Sequence, residues 1–218
     1  MSAAAIQQGL VTQQERQLKR WLDLLVGIPA FALSVPFIAL SALWIKAVSP
    51  GPAFFAHERE GKGGKPIRIY KLRTMYQDAE QVLERYLAEY PSERVSWLRY
   101  YKLKRDPRVI PGIGWFLRHY SLDELPQLWN VLIGEMSLVG PRPFPEYHLS
   151  GFPPAFRALR ASVMPGVTGL WQVSARSDGD LKVQEAADTY YIQNWSLWLD
   201  LSILLRTVRM LVMPNAAY

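Results

Sequence analysis

The sequence predicts an α+β protein, mostly helical. A re-entrant membrane helix–break–helix leads into a short β-hairpin and amphipathic interfacial helices around one core. Three observations carry this. Residues 24–45 hold no charged side chain, and two strand-like runs flank a glycine turn between residues 53 and 75. Most of the remaining chain places its apolar residues at helical spacing. At 218 residues the chain fits one sizeable domain with an appendage. The expected boundary separates an N-terminal membrane region, 1–48, from a cytosolic domain, 49–218.

The apolar segment, LLVGIPAFALSVPFIALSALWI, would be roughly 33 Å long as a helix, enough to span a bilayer. A single crossing is the plain reading. Two features favour a hairpin that enters and leaves on one face. Arg16, Lys19 and Arg20 precede the segment and Lys46, Arg59, Lys62 and Lys65 follow it; positive charge is retained on the cytoplasmic side. Pro36 lies near the middle, where its missing N–H interrupts the backbone ladder. The hydroxyls of Ser34 or Ser41 could serve groups left unpaired at that depth, so Ser34 and Pro36 mark the expected break. Asp23, at the mouth, is expected to pair with Lys19 or Arg20.

After Pro50-Gly51-Pro52, the runs AFFAHERE, GKGG and KPIRIYKLRTM read as strand, turn and strand. Alternation puts Ile67, Ile69, Lys71 and Arg73 on one face. That face either delivers two cations to a site or ends in solvent. Residues 77–104 read as helical, with a break near Pro91. GIGWFLRHY and PQLWNVLIG read as short helices on either side of Asp123 and Glu124. GEMSLVGPRPFPEY reads as a loop in which Pro141, Pro143 and Pro145 preorganise the backbone at Arg142. MPGVTGLWQVSAR is a glycine-punctuated segment ending in Arg176. A final helix is expected over 188–213, with Trp198, Leu201, Leu205, Val208 and Val212 in one stripe and Arg206 and Arg209 off it. Such a stripe faces either the core or a lipid interface.

Composition narrows the chemistry. With no cysteine, a disulfide framework, a thiolate nucleophile and a cysteine-ligated metal are excluded. A net charge of +6 and a pI near 9.5 point to an anionic partner. Eight tryptophans and eleven tyrosines tilt that partner towards a membrane interface. His57, His119 and His148 are scattered and lack metal-ligand spacing. No Walker loop, GxGxxG, GxSxG or helix-turn-helix pattern is present, and nucleic acid is not an expected partner.

The stretch SLDELPQLWN, 121–130, poses the sharpest question. Ser121 and Glu124 have the spacing of a capping box, yet Pro126 sits too far into such a helix and suits its first position instead. The helix proper is therefore expected to begin near Pro126 or to be distorted there. Asp123 and Glu124 then lie at its start, either as favourable helix-end charges or for chemistry. Their context is a supply of cations in separate segments: Lys71, Arg73, Arg118, Arg142 and Arg176. Two carboxylates among cations can hold a divalent ion, and magnesium commonly takes one or two carboxylates plus substrate phosphates. A carboxylate can also attack phosphorus directly.

FFAHEREGKGGKPIRIYKLRTM, SLDELPQLWNVLIGEMSLVGPRP and MPGVTGLWQVSAR resemble signatures of the bacterial sugar transferases. These are small monotopic phosphoglycosyl transferases that prime surface-glycan assembly. The resemblance runs from about Lys19 to the C-terminus. It implies a catalytic domain on the cytosolic face of the bacterial inner membrane, among phospholipids, and a re-entrant helix. The implied reaction moves a sugar-1-phosphate from a UDP-sugar to undecaprenyl phosphate, with magnesium, through a phosphosugar–aspartate. Carried over by motif, Asp123 is nucleophile and magnesium ligand. Glu124 assists the second step by taking a proton or by ordering the metal. Arg142 holds phosphate, and Lys71, Arg73 and Arg118 occupy basic motif positions. Val35-Pro36 stands where the family usually has Ser-Pro. YPSERVSWLRYYKLKRDPRV and NWSLWLDLSILLRTV are similar to the galactose- and glucose-1-phosphate subgroup. A homodimer is left open. Two other readings stand beside this one: a non-catalytic scaffold binding anionic lipid, and a nucleotide-sugar hydrolase.

Overall fold

The first helix opens on a capping box. The Thr12 hydroxyl accepts from the Glu15 backbone, and the Glu15 carboxylate accepts from the Thr12 N–H at 2.7 Å. The computed structural model describes residues 12–100, 103, 105–174 and 181–212. Helix α1, Gln13–Val48, runs 36 residues without interruption, or about 54 Å. It replaces the expected helix–break–helix, because Pro29 and Pro36 both lie inside one continuous helix. Each proline removes one N–H donor. Ser34 is buried beside this region and sets its hydroxyl on the Phe31 carbonyl at 2.8 Å.

Strands β1, Phe54–Glu60, and β2, Pro66–Leu72, pair antiparallel across a 3₁₀ turn at Lys62–Gly64. Gly63 and Gly64 both have positive φ there, the conformation glycine adopts without a Cβ penalty. Helices α2, Ala79–Glu89, and α3, Pro91–Tyr100, come next, with the break at Tyr90. Then come α4, Ile113–His119, a 3₁₀ turn at Leu122–Glu124, and α5, Gln127–Leu132.

Within the expected loop 134–147, residues Ser137–Val139 form strand β3, parallel to β4 at Gly166–Thr168. Glycine makes this pairing possible. A Cβ on Gly140 or Gly166 would overlap backbone atoms of the other segment. Helices α6, Glu146–Leu149, and α7, Pro154–Ala161, lie between the two strands in the chain, and α8, Leu170–Ser174, follows β4.

The expected final helix over 188–213 is two helices, α9 at Leu181–Gln193 and α10 at Leu197–Val212. Ser196 starts the second, its hydroxyl accepting from the Leu199 N–H. The apolar stripe does not face the core: Trp198 is 81% exposed and Leu205 72%. Inward-facing Asp200 and Ile203 are fully buried.

Two apolar clusters hold the body. One gathers Ile69, Leu128, Val131, Leu138, Val139, Ile192 and Ile203; the other gathers Ile38, Ile45, Leu72, Ile110, Ile113 and Leu117. Leu125 touches both, which fixes the chain immediately after Glu124.

Polar bonds tie α1 to the same body. Lys19 donates to Asp200 at 2.7 Å and to the Val139 carbonyl at 3.0 Å. Arg20 serves the carbonyls of Val131 and Leu132 that end α5. Asp23 makes neither expected pairing, with Lys19 or Arg20, in hydrogen-bond contact. It accepts instead from the Ser137 hydroxyl and the Leu138 N–H, both at 2.9 Å.

Candidate active site

Ser121 supplies no side-chain cap. Its backbone takes a left-handed φ of 54°, the one positive φ at a non-glycine among the described residues. Glu124 does not reach back to close a capping box either. The chain makes one 3₁₀ turn at Leu122–Glu124, and helix α5 starts at Gln127 with Pro126 as its cap. The two carboxylates therefore lie on a separate turn ahead of the helix.

Their surroundings differ. Lys71, at the end of β2, donates to Glu124 at 2.6 Å. Arg142 grips the same carboxylate with two nitrogens, at 2.6 and 3.2 Å. Asp123 enters neither ion pair. Burial would raise the Glu124 carboxyl pKa, but the charges of Arg142 and Lys71 overcome it and hold that carboxyl well below the usual range. The Asp123 pKa is pushed up to about 6, by burial first and then by the Glu124 charge; Lys71, Arg118 and Arg142 oppose the rise. The turn thus carries one firmly ionised, anchored carboxylate beside one that is free of salt bridges and more basic.

Each cation is held by a definite element. Buried Asn130 on α5 donates to the Arg68 carbonyl and accepts from the Tyr70 N–H, stapling α5 to β2 one residue before Lys71. Arg142 rides on the proline-rich segment after β3. Arg160, from α7, donates to the Arg142 carbonyl, stacks on Phe144 at 4.4 Å and pairs with buried Asp188 at 3.2 Å. Arg118, exposed at the end of α4, reaches Asp123 through its charge.

Of the cations singled out in the sequence, Lys71, Arg118 and Arg142 gather around the carboxylates. Arg73 does not. It is buried and donates to the carbonyls of Ser49 and Pro50, closing the far end of α1. Strand alternation gave no sign of this because β2 ends at Leu72. Arg176 lies outside the described residues. Asn130 and Arg160 act through neighbours, and no spacing rule points to such residues. A cleft beside the carboxylates is lined by Arg59, Lys71, Gln127, Arg142, Tyr147 and His148.

For a divalent metal, Asp123 is the carboxylate without a cation on it, whereas both Glu124 oxygens are engaged by Lys71 or Arg142. No group of three or more His, Asp or Glu side chains forms a metal cluster among the described residues. A protein-only cage is thus absent from them, but a magnesium ion completed by substrate phosphates and water needs only one or two carboxylates.

Comparison with known proteins places the chain in a family. Residues 14–214 match the model of the family described as bacterial sugar transferase. The undecaprenyl-phosphate galactose phosphotransferase of Salmonella typhimurium is 41% identical over 215 residues, covering 98% of this chain and 44% of that protein. The exopolysaccharide production protein ExoY of Rhizobium meliloti is 40% identical over 200 residues, 92% of this chain and 88% of the relative. The UDP-glucose:undecaprenyl-phosphate glucose-1-phosphate transferase of Caulobacter vibrioides is 42% identical over 210 residues, 92% of this chain and 72% of the relative. The chain spans less than half the length of several longer relatives it matches, the Salmonella protein among them. With nearly its whole described length inside the family match, the chain belongs to the bacterial sugar transferases.

Proposed function

We propose that this chain transfers a hexose-1-phosphate, galactose or glucose, from a UDP-sugar to undecaprenyl phosphate, releasing UMP. The observation that carries the reading is the Asp123–Glu124 turn: an unpaired carboxylate held among Lys71, Arg118 and Arg142 while its neighbour is locked. In the first step an Asp123 oxygen forms a bond to the sugar-side phosphorus. The bond from that phosphorus to the bridging oxygen breaks, and UMP departs with the electron pair. In the second step an oxygen of the lipid phosphate attacks the same phosphorus and displaces the Asp123 carboxylate, giving the lipid diphosphate sugar. Arg142, Lys71 and Arg118 offset the charge that gathers when an anion attacks an anion. A magnesium ion, held by Asp123 together with substrate phosphates, would supply further charge neutralisation. Glu124 keeps Lys71 and Arg142 in place.

The membrane reading belongs to the same proposal: α1 does not cross the bilayer, both its ends stay on one side, and the body sits on the cytosolic face of the inner membrane. A crossing needs about 20 residues clear of the protein. Yet α1 meets the body at Asp23, at Phe31 against Trp129, and at Ile38 and Ile45. The longest interval, Asp23 to Phe31, is about 12 Å of helix. Its outward face, with Leu25, Leu33, Leu40 and Leu43 exposed, is apolar.

The test is UMP release in nanodiscs from a panel of UDP-sugars, with and without undecaprenyl phosphate and magnesium. Without acceptor, the wild type is expected to release about one equivalent and to show the phosphosugar adduct by mass spectrometry. Asp123→Asn is expected to lose both. Full activity in that variant sinks the nucleophile assignment. Continued release without acceptor identifies a hydrolase. Salt-sensitive lipid binding without turnover identifies a scaffold.

A further inference from the structure

Arg59 is the one lining residue of the cleft whose guanidinium carries buried donors without partners: neither Nε nor Nη1 has a hydrogen bond. Its placement is built into the hairpin. Register sets Arg59 opposite Ile67 and Phe55 opposite Lys71, so alternation puts Arg59 and Lys71 on the same face of the two strands. Burial lowers its pKa, and the Tyr147 hydroxyl works the other way. Buried donors with unmade bonds are costly, and such groups are found satisfied by an anion or by water.

The anion is not Glu124, which Lys71 and Arg142 already bind. Arg59 senses the charges of Glu124 and Arg142, while Asp123 is acted on by Glu124, Lys71, Arg118 and Arg142. Arg59 lines the cleft together with Lys71 and Arg142, and it is not among the charges that act on Asp123. A diphosphate offers two adjoining phosphates. With the attacked one at Asp123, the other falls on the Arg59 side.

We infer that Arg59 binds the phosphate of the departing nucleotide, a role that rests on the donor being a nucleoside diphosphate sugar. The fork of the guanidinium matches two phosphate oxygens at once. It also faces the oxygen that takes up charge when the phosphorus–oxygen bond breaks.

The experiment is a titration of UMP, with magnesium, into the whole chain in nanodiscs, comparing wild type, Arg59→Gln and Arg59→Lys. Loss of a charge-assisted bond pair is expected to weaken UMP binding about ten- to hundredfold in Arg59→Gln. The KM for undecaprenyl phosphate is expected to stay within twofold. Arg59→Lys keeps the charge but loses the fork, and falls between. UMP affinity within twofold of wild type in a folded Arg59→Gln overturns the inference, as does a larger effect on the lipid than on UMP. Should Arg59→Gln lose its cooperative melt, Arg59→Lys decides: several-fold weaker UMP supports the role, and unchanged UMP overturns it. A wild type that neither binds UMP nor releases it from any UDP-sugar instead refutes the functional reading itself.

Discussion

Asp123 illustrates how burial and a neighbouring charge make a carboxylate more basic, and what that costs the fold. Its pKa is raised from 3.8 to about 6, so the folded state holds its proton more tightly than the unfolded chain does. The associated stability is present in full below pH ~4 and is lost as pH rises through about 6. This has two testable outcomes. The kcat/KM for the UDP-sugar is expected to climb through about pH 6 as the carboxylate ionises, measured by initial rates between pH 5 and 8. Asp123→Asn, which the proposed mechanism expects to be inactive, is expected to be more stable than wild type at pH 7.5 by roughly 2 kcal/mol, with the gain vanishing near pH 4. Thermal melts at the two pH values check this. The pairing of Asp123 with Glu124 was legible in the sequence; their unequal fates were not. That difference depends on Lys71 and Arg142 converging on one carboxylate from β2 and from the segment after β3.

At the scale of elements, the hairpin, the break near Pro91 and the late start of α5 could be read from glycine, proline and alternation. The end of the chain could not. Its 3–4 spacing continues through Asn194–Ser196, and only a polar cap, Ser196, marks the new start. Asp200 was equally hidden, as an acidic residue in an apparently ordinary helix. In the fold it is fully buried and accepts from Lys19, from Tyr191 at 2.8 Å and from Trp195 at 3.1 Å. Those partners come from α1, from α9 and from the turn before α10, so one carboxylate joins three parts of the chain. Lys19→Met removes the cation paired with buried Asp200. It is expected to destabilise the protein by about 3 kcal/mol, read by denaturant unfolding in detergent. Asp200→Asn in the same background should recover part of that loss.

For the whole molecule, the decisive question is how it sits on a bilayer. The exposed stripe of α10, with Trp198 and Leu205, presents an apolar face with Arg206 and Arg209 exposed beside it, as an interfacial helix does. Replacing Trp198 and Leu205 by Glu is expected to lower the membrane-bound fraction severalfold in vesicle flotation while leaving the fold's melting point within a few degrees. Topology has a direct test, since the absence of cysteine leaves no background thiol. Single cysteines at Gln14 and Lys62, both exposed, should label from the same side of the membrane. Labelling from opposite sides would establish a crossing. Bonds at Lys19 and Arg20 near one end of α1, and at Arg73 near the other, leave the helix no hinge against the body. In the proposed reaction the fold would then work as a depth gauge, holding Asp123 at one height above the bilayer midplane. The lipid phosphate would have to rise or sink to meet it, and the rate is expected to change with membrane thickness.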